Sequence, residues 1–382
     1  MNAELAAESL LPILRKNSHL FMPLAVICCI AVMIIPLPPL VLDVLITVDI
    51  TLSVVILMVS MYILEPVSFS VFPSLLLLVT LFRLSLNIAA CRLILLHGSD
   101  GFSAAGAVIQ SFGQFVIGGN YIIGVVMFTV LLAIQYIVIN HGAARIAEVT
   151  ARFTLDSLPG KQMSIDAELN SGLINEGEAK HRRRQLQRET EFYGAMDGAI
   201  KFTQRDAVAA LIITAINIAA GLTIGLVQNG MGIMDALQTF TVLTIGDGLV
   251  TTIPALLVSV SGGLITTRAA SESNLGEDVS GQLLSNPKPV AIGAGVMFGF
   301  ALIPGLPKAA FFLLAGVMGV VAYVSWIKHK QERELEDEQA VQQRKSLAAP
   351  EKIEALLKVD PRLDPLRSDR RFEGLLARMA FP

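Results

Sequence analysis

The chain has 382 residues, of which 53% are hydrophobic and only 16% charged, with a mean hydropathy of +0.64. A soluble domain carries about 25% charged residues, so the composition excludes an ordinary soluble protein and predicts an all-α, polytopic membrane bundle. The formal net charge of −3 excludes nucleic acid as the main partner. Cys28, Cys29 and Cys91 have neither metal nor redox spacing, and no cofactor, metal site or enzymatic constellation is expected.

Residues 1–19 open polar, without a signal-peptide cleavage pattern. A bilayer core of about 30 Å needs about 20 mostly apolar residues in a helix. Eight segments qualify, near 20–36, 44–64, 70–90, 119–140, 206–228, 239–263, 288–303 and 308–327. The last two are separated by Pro304-Gly305-Leu306-Pro307 and read as a tight helical hairpin. Lysines and arginines are lopsided. Arg15 and Lys16 precede the first span, ten basic residues lie between Arg145 and Arg205, and Arg268, Lys288, Lys328, Lys330 and Arg333 fall on the same side. The opposite side carries only Arg92 and Lys308. The positive-inside rule then puts both termini in the cytoplasm.

The domain plan that follows is four helices over 20–140, a cytoplasmic insertion over 141–205, four helices over 206–327, a polar linker over 328–350 and a short tail over 351–382. Within the insertion, Asn175 followed by Glu178 resembles a capping box opening a charged helix. The basic block of His181, Arg182, Arg183, Arg184 and Arg188 is set against Glu176, Glu178, Glu189 and Glu191. It reads as a salt-bridged solvated face or as a surface for anionic headgroups or an acidic partner. Leu158-Pro159-Gly160-Lys161 is not a phosphate loop, because Leu155 and Gln162 stand where that pattern needs Gly and Ser or Thr. Pro159-Gly160 is expected to turn. The tail is too short to bury a core of its own.

A charge at the bilayer centre costs at least ~2.5–3.5 kcal/mol and needs a partner or a hydrated cavity. The third span carries Thr80, Arg83 and Asn87 on one stripe, suited to packing against another span or to transport. The sixth carries Asp247 between Gly246 and Gly248, with Pro254 two turns on; these are expected to loosen the helix around a hydrated or paired carboxylate. By the topology above, Arg83 and Asp247 both fall in the outer half of the membrane and could pair. Lys201, Arg205 and Asp206 stand at the start of the fifth span. There Asp206 either caps a first helical turn or accepts protons at the cytoplasmic mouth of a pathway, its charge set by Lys201 and Arg205. Asp49 lies near the outer end of the second span and reads as solvated. Gly221 with Gly225 and Gly295 with Gly299 allow close helix packing or oligomerisation.

Four stretches carry a resemblance. RLSLNIAACRLIL (83–95), GAARIAEVTARFTLDSLPGKQMSIDAELNSGLI (142–174), MDGAIKFTQRDA (196–207) and LTIGDGLVTTIPALL (243–257) resemble the membrane half of the type III secretion export-gate family. The likeness runs nearly continuously from about residue 20 to 327. It implies a multi-pass protein of the bacterial inner membrane, assembled as a homo-oligomeric ring, generally a nonamer, beside other export-apparatus membrane subunits. It implies coupling of the proton motive force to export of flagellar subunits. It also implies export-linked roles for Arg92, Arg145, Arg152, Asp156, Lys201, Asp206 and Asp247, with Asp206 leading in proton handling. Where the family usually has Asn, this chain has Asp49. Past the linker the family continues into a large cytosolic domain that docks chaperones and substrates, whereas VDPRLDPLRSDRRFEGLLARMAFP resembles the end of many tetratricopeptide-repeat proteins. The chain is therefore expected to be a membrane half joined to foreign sequence, or a truncated relative, which puts cargo docking in doubt.

Two rival readings stand beside this one. A proton-coupled secondary transporter would also use intramembrane Asp247 and Arg83, though the two halves show no internal similarity. A non-catalytic scaffold of the export apparatus would build the ring and nothing more.

Overall fold

The computed structural model describes residues 18–268, 275–284, 287–303 and 307–347. The expectations for residues 1–17 and for the tail at 351–382 lie outside the described residues. Among the described residues the structure is helical, with no strand. It is a polytopic membrane bundle, as the composition predicts. Among the described residues six helices are long and apolar enough to cross a membrane, and three apolar helices are shorter.

The chain divides into two units, one ending at Gly276 and the other starting at Glu277. Six of the eight expected spans fall in the first unit. There α1 spans Ser18–Ile34, α2 Pro39–Tyr62, α3 Phe72–His97, α4 Ala107–Ile117 and α5 Tyr121–Ala133. A π-helical stretch, Ile134–Asn140, joins α5 to α6, His141–Asn170. Helix α7 covers Glu176–Thr223 and runs into a second π-helical stretch, Ile224–Gln228; α8 is Ile233–Thr267. Helix α9, Leu275–Leu284, lies at the boundary. The second unit holds α10, Pro287–Leu302, packed against α11, Lys308–Leu347. Helix α11 continues to Leu347, so most of the expected polar linker is helical.

The most buried of the crossing helices is α8, with 67% of its apolar window covered, against 17–28% for α2, α7 and the helix containing α5 and α6. Within the first unit it packs against α2 to α7. Phe240 of α8 fills the space left by Gly221 and Gly225, where an added Cβ would lie 2.4 and 2.8 Å from its ring. That glycine pair thus serves packing within the chain. Large apolar side chains such as Leu24, Val55, Ile122, Val126 and Ile212 stay exposed on the outer helices, which suits a lipid-facing surface.

Residues 97–118 fall between the third and fourth expected spans. They contain α4, an apolar helix laid along α8. Its backbone approaches closely: a Cβ on Gly113 would meet the Val242 carbonyl oxygen at 2.4 Å, and one on Gly246 the Ile109 carbonyl oxygen at 2.1 Å. The start of α4 is held by Asp43, whose carboxylate accepts from the amides of Ala107 at 2.8 Å and Val108 at 3.0 Å. A carboxylate here satisfies two of the unpaired first-turn donors and complements the helix dipole.

The insertion is an antiparallel helical hairpin that prolongs two spans. Tyr121–Asn170 is continuous over 50 residues and Glu176–Gln228 over 53, about 75 and 80 Å at 1.5 Å per residue. Asn175 caps α7 as its sequence suggests, accepting from the Glu178 amide at 2.8 Å. Ile165, Ile174, Ala179 and Leu186 form a small core between the arms. The turn expected at Pro159-Gly160 is not there: α6 runs straight through Pro159.

Candidate functional site

Three charged side chains meet inside the first unit. Arg83 of α3, Asp49 of α2 and Asp206 of α7 are only 2%, 3% and 5% exposed. Arg83 spreads its guanidinium between the two acids, Nε facing Asp49 Oδ2 at 3.4 Å and Nη1 facing Asp206 Oδ2 at 3.4 Å. These distances are long for hydrogen bonds and short for charges. The planar fork of arginine allows this, because two nitrogens can face two acids at once. Arg83 lies 11 residues into α3, about 16 Å along its axis, so the cluster sits at mid-helix depth. Next to it, Thr80 of α3 and Thr203 of α7 join by a buried 3.1 Å hydrogen bond. The polar stripe expected on α3 therefore packs against α7.

This geometry corrects several sequence expectations. Arg83 does not pair with Asp247; its partners are Asp49 and Asp206. Asp49 is buried rather than solvated. Asp206 cannot cap a first turn, since α7 begins at Glu176 and Asp206 lies 30 residues inside it. Nor do Lys201 and Arg205 face it. Lys201 Nζ donates to Asp197 Oδ2 at 2.9 Å on an exposed surface, and that bond holds its ammonium above the usual lysine range. Arg205 is exposed.

Asp247 is 3% exposed on α8. Its Oδ2 accepts from Asn217 Nδ2 of α7 at 3.2 Å. Asn217 is fully buried and is a residue that sequence reasoning missed. An asparagine on the polar-depleted face of the fifth span was the available signal. The glycines beside Asp247 do not loosen the helix, which continues through Gly246, Gly248 and Pro254. They admit close neighbours, Ile109 at Gly246 and the Phe128 ring at Gly248. Asp247 shares a small cavity with Asp49 and Arg83, lined also by Leu86, Ala90 and Val250.

The remaining expected residues lie apart from this cluster. Arg92 donates from Nη1 to the Ile34 carbonyl at 2.8 Å and from Nη2 to the Met33 carbonyl at 3.0 Å. It satisfies the C-terminal end of α1, where a cation also suits the helix dipole. Arg145 pairs with Glu148 at 2.8 Å, and Arg152 with Asp156 at 3.7 Å, all on the exposed face of α6. Exposed pairs of this kind add at most about 1 kcal/mol, so they hold the fold only weakly.

The basic block divides. Arg182 and Arg183 join the two arms through Glu168 and Asp166, Arg182 also meeting Glu178. Arg184 and Arg188 instead line a cleft of about 1080 Å³ with Glu65, Glu191, Tyr193 and Arg268. Among the described residues no group of three or more His, Cys, Asp or Glu side chains could hold a metal ion.

A helical membrane protein with a buried two-acid, one-arginine cluster, and with two spans prolonged into a charged hairpin, is the class these features define. The chain belongs to the FHIPEP family, which matches residues 29–365. That match extends past the linker, so the first part of the tail falls within it. The chain is 47% identical over 342 residues to the flagellar biosynthesis protein FlhA of Bacillus subtilis (strain 168), covering 88% of this chain and 49% of that protein. It is 45% identical over 319 residues to the protein of the same name from Salmonella typhimurium, covering 84% and 46%. It is 44% identical over 329 residues to the low calcium response locus protein D of Yersinia pestis, covering 86% and 46%. The chain spans about half the length of these curated relatives. No solved structure matches it.

Proposed function

We propose that this chain is the membrane part of a flagellar protein-export gate, and that proton binding at Asp206 is coupled to export. The observation that carries this reading is the cluster itself. Two acids share one cation away from water, so full ionisation leaves one uncompensated negative charge. Burying such a charge is costly unless it is paired or neutralised. A proton is the simplest neutraliser, and its arrival or loss must change how Arg83 divides itself between Asp49 and Asp206. Asp206 stands on the helix that continues into the hairpin, so that change reaches the insertion directly. On this reading the membrane is the bacterial inner membrane, crossed eight times, with the insertion in the cytoplasm. The working unit is a ring of copies, likened to the family's nonamer, seated beside other export-apparatus subunits. Flagellar subunits are the cargo of the complete apparatus, and their chaperones are its docking partners.

The test uses Asp206→Asn and Asp206→Glu in a strain lacking its own export gate. Asn should abolish secretion and motility while rings still assemble, and Glu should retain part of both. Near-normal export from both variants sinks the proton-linked role of Asp206. Assembled rings that export nothing even with Asp206 intact favour a scaffold, and solute uptake by the reconstituted chain favours a transporter.

A further inference from the structure

We infer that Asp49, Arg83 and Asp247 hold one water molecule between them, which links the Asp49–Arg83–Asp206 cluster to Asp247 inside the bundle. Three observations meet at this point. First, two buried polar atoms in the cluster have no hydrogen-bond partner in the protein, Asp49 Oδ1 and Arg83 Nη2. Buried polar groups of this kind are normally satisfied by protein or by ordered water. Second, both side chains line one cavity, and the third charged side chain lining it is Asp247. Third, the cavity measures about 10 Å³, roughly the room one water needs.

The chemistry of the site selects water over other occupants. A bound water needs 2–4 polar partners. Here Arg83 Nη2 donates, Asp49 Oδ1 accepts, and the Asp247 carboxyl can do either according to its proton. A metal cation would face the guanidinium, and an anion would face two carboxylates. An apolar side chain would leave Oδ1 and Nη2 unsatisfied. The water then joins Asp49 on α2 to Asp247 on α8, and a proton can pass between these two carboxyls through it; Arg83, which has donors only, keeps its protons and orients the water. From Asp247 the hydrogen bonding continues to Asn217 on α7, whose Oδ1 is also buried without a partner. Asp49 thus anchors the water, keeps Arg83 turned toward the cavity and is one end of the proton exchange. The water site rests on geometry alone. Only its use as a relay rests on the proton-coupled reading above.

The test reads the water and the protons separately, on the full chain in nanodiscs and in proteoliposomes. Ala90→Val and Val250→Ile add methyl groups at the cavity wall without touching an ionisable residue. Val250→Ile is the milder change, should Ala90→Val fail to fold. Infrared spectra exchanged into oxygen-18 water should show an isotope-sensitive band from strongly hydrogen-bonded water in the parent chain. Asp49→Asn should keep it, because an amide oxygen still accepts, and both cavity-filling variants should lose it. Proton flux should fall about tenfold in those variants, equal to about 1.4 kcal/mol in barrier. A parent chain without the band overturns the inference, as does a band that survives both fillings. A band that disappears while flux stays at the parent level overturns the relay. A band behaving as expected in a chain that passes no protons upholds the water site and defeats the proton-coupled function instead.

Discussion

Replacing Arg83 by leucine removes the cation that contacts both Asp49 and Asp206 while keeping much of the side chain's bulk. Each contact is 3.4 Å in the structure. At an effective dielectric of about 20, a pair near 4 Å is worth roughly 4 kcal/mol before desolvation. Two such attractions are lost, and the mutual repulsion of the acids is no longer offset. Burial of the arginine had its own cost, several kcal/mol in practice, and the apolar replacement recovers that. The net loss is therefore expected near the measured range for breaking a buried pair, about 3–5 kcal/mol. It is also expected to depend on pH with a definite sign. Protons can replace the missing cation, so the gap between the variant and the parent should narrow as pH falls. The assay is thermal unfolding in nanodiscs at several pH values, with ring assembly followed in parallel. A triple variant, Arg83→Leu with Asp49→Leu and Asp206→Asn, should regain most of the stability because none of the cluster's charges remains. A loss below about 1 kcal/mol for Arg83→Leu alone, or no recovery in the triple variant, refutes the charge cluster.

Two further outcomes follow from the packing and from the insertion. Gly246→Ala would place a Cβ 2.1 Å from the Ile109 backbone oxygen, so it should displace α4 and destabilise the core by more than the corresponding change at the open Gly263; proteolysis between residues 97 and 118 reads this. Tyr193 lies in the insertion, where burial, helped by Glu189, holds its phenol above the ordinary tyrosine range. The unfolded chain loses this proton first, so stability should decline as pH rises through about 10; a Tyr193→Phe variant that declines equally would refute the assignment.

Much of the membrane architecture was legible because hydrophobic length is a one-dimensional signal. Each expected span falls on a helix, and the cap at Asn175 was visible as a local pattern. What was not legible depended on contacts between helices. The partner of Arg83 could not be read from depth in the membrane, since Asp49, Asp206 and Asp247 all carry the same charge. Continuity of the helix through Lys201 and Asp206 was hidden by the change in composition there. Apolar residues end at that point on the N-terminal side, but the hydrogen-bonded ladder does not. The glycines at 246 and 248 showed the same limit. Loosening a helix and admitting a neighbour need the same residue, and only the position of Ile109 and Phe128 decides between them. Asp43 went unremarked because the helix it caps begins 64 residues later.

The position of the cluster bears on how a proton could do mechanical work. Asp206 lies 30 residues from the start of α7, about 45 Å from the far end of the arm. The stretch between is one unbroken helix without a proline, and it is held to α6 by Arg182, Arg183 and Lys161. Over that length a tilt of about 5° at the cluster moves the tip by about 4 Å. A small change in how Arg83 sits between its two acids is thus magnified at the tip of the arm, with no unfolding in between. The exposed pairs Arg145–Glu148 and Arg152–Asp156 lie on the second arm, where they contribute little to stability but would be carried along by such a movement. On the proposed function, charges far from any proton site can therefore matter for export, because they ride on the same two continuous helices. Labels placed on the arm of the Asp206→Asn variant should report that displacement relative to the parent, and arms that stay in place would leave the cluster without a route to the insertion.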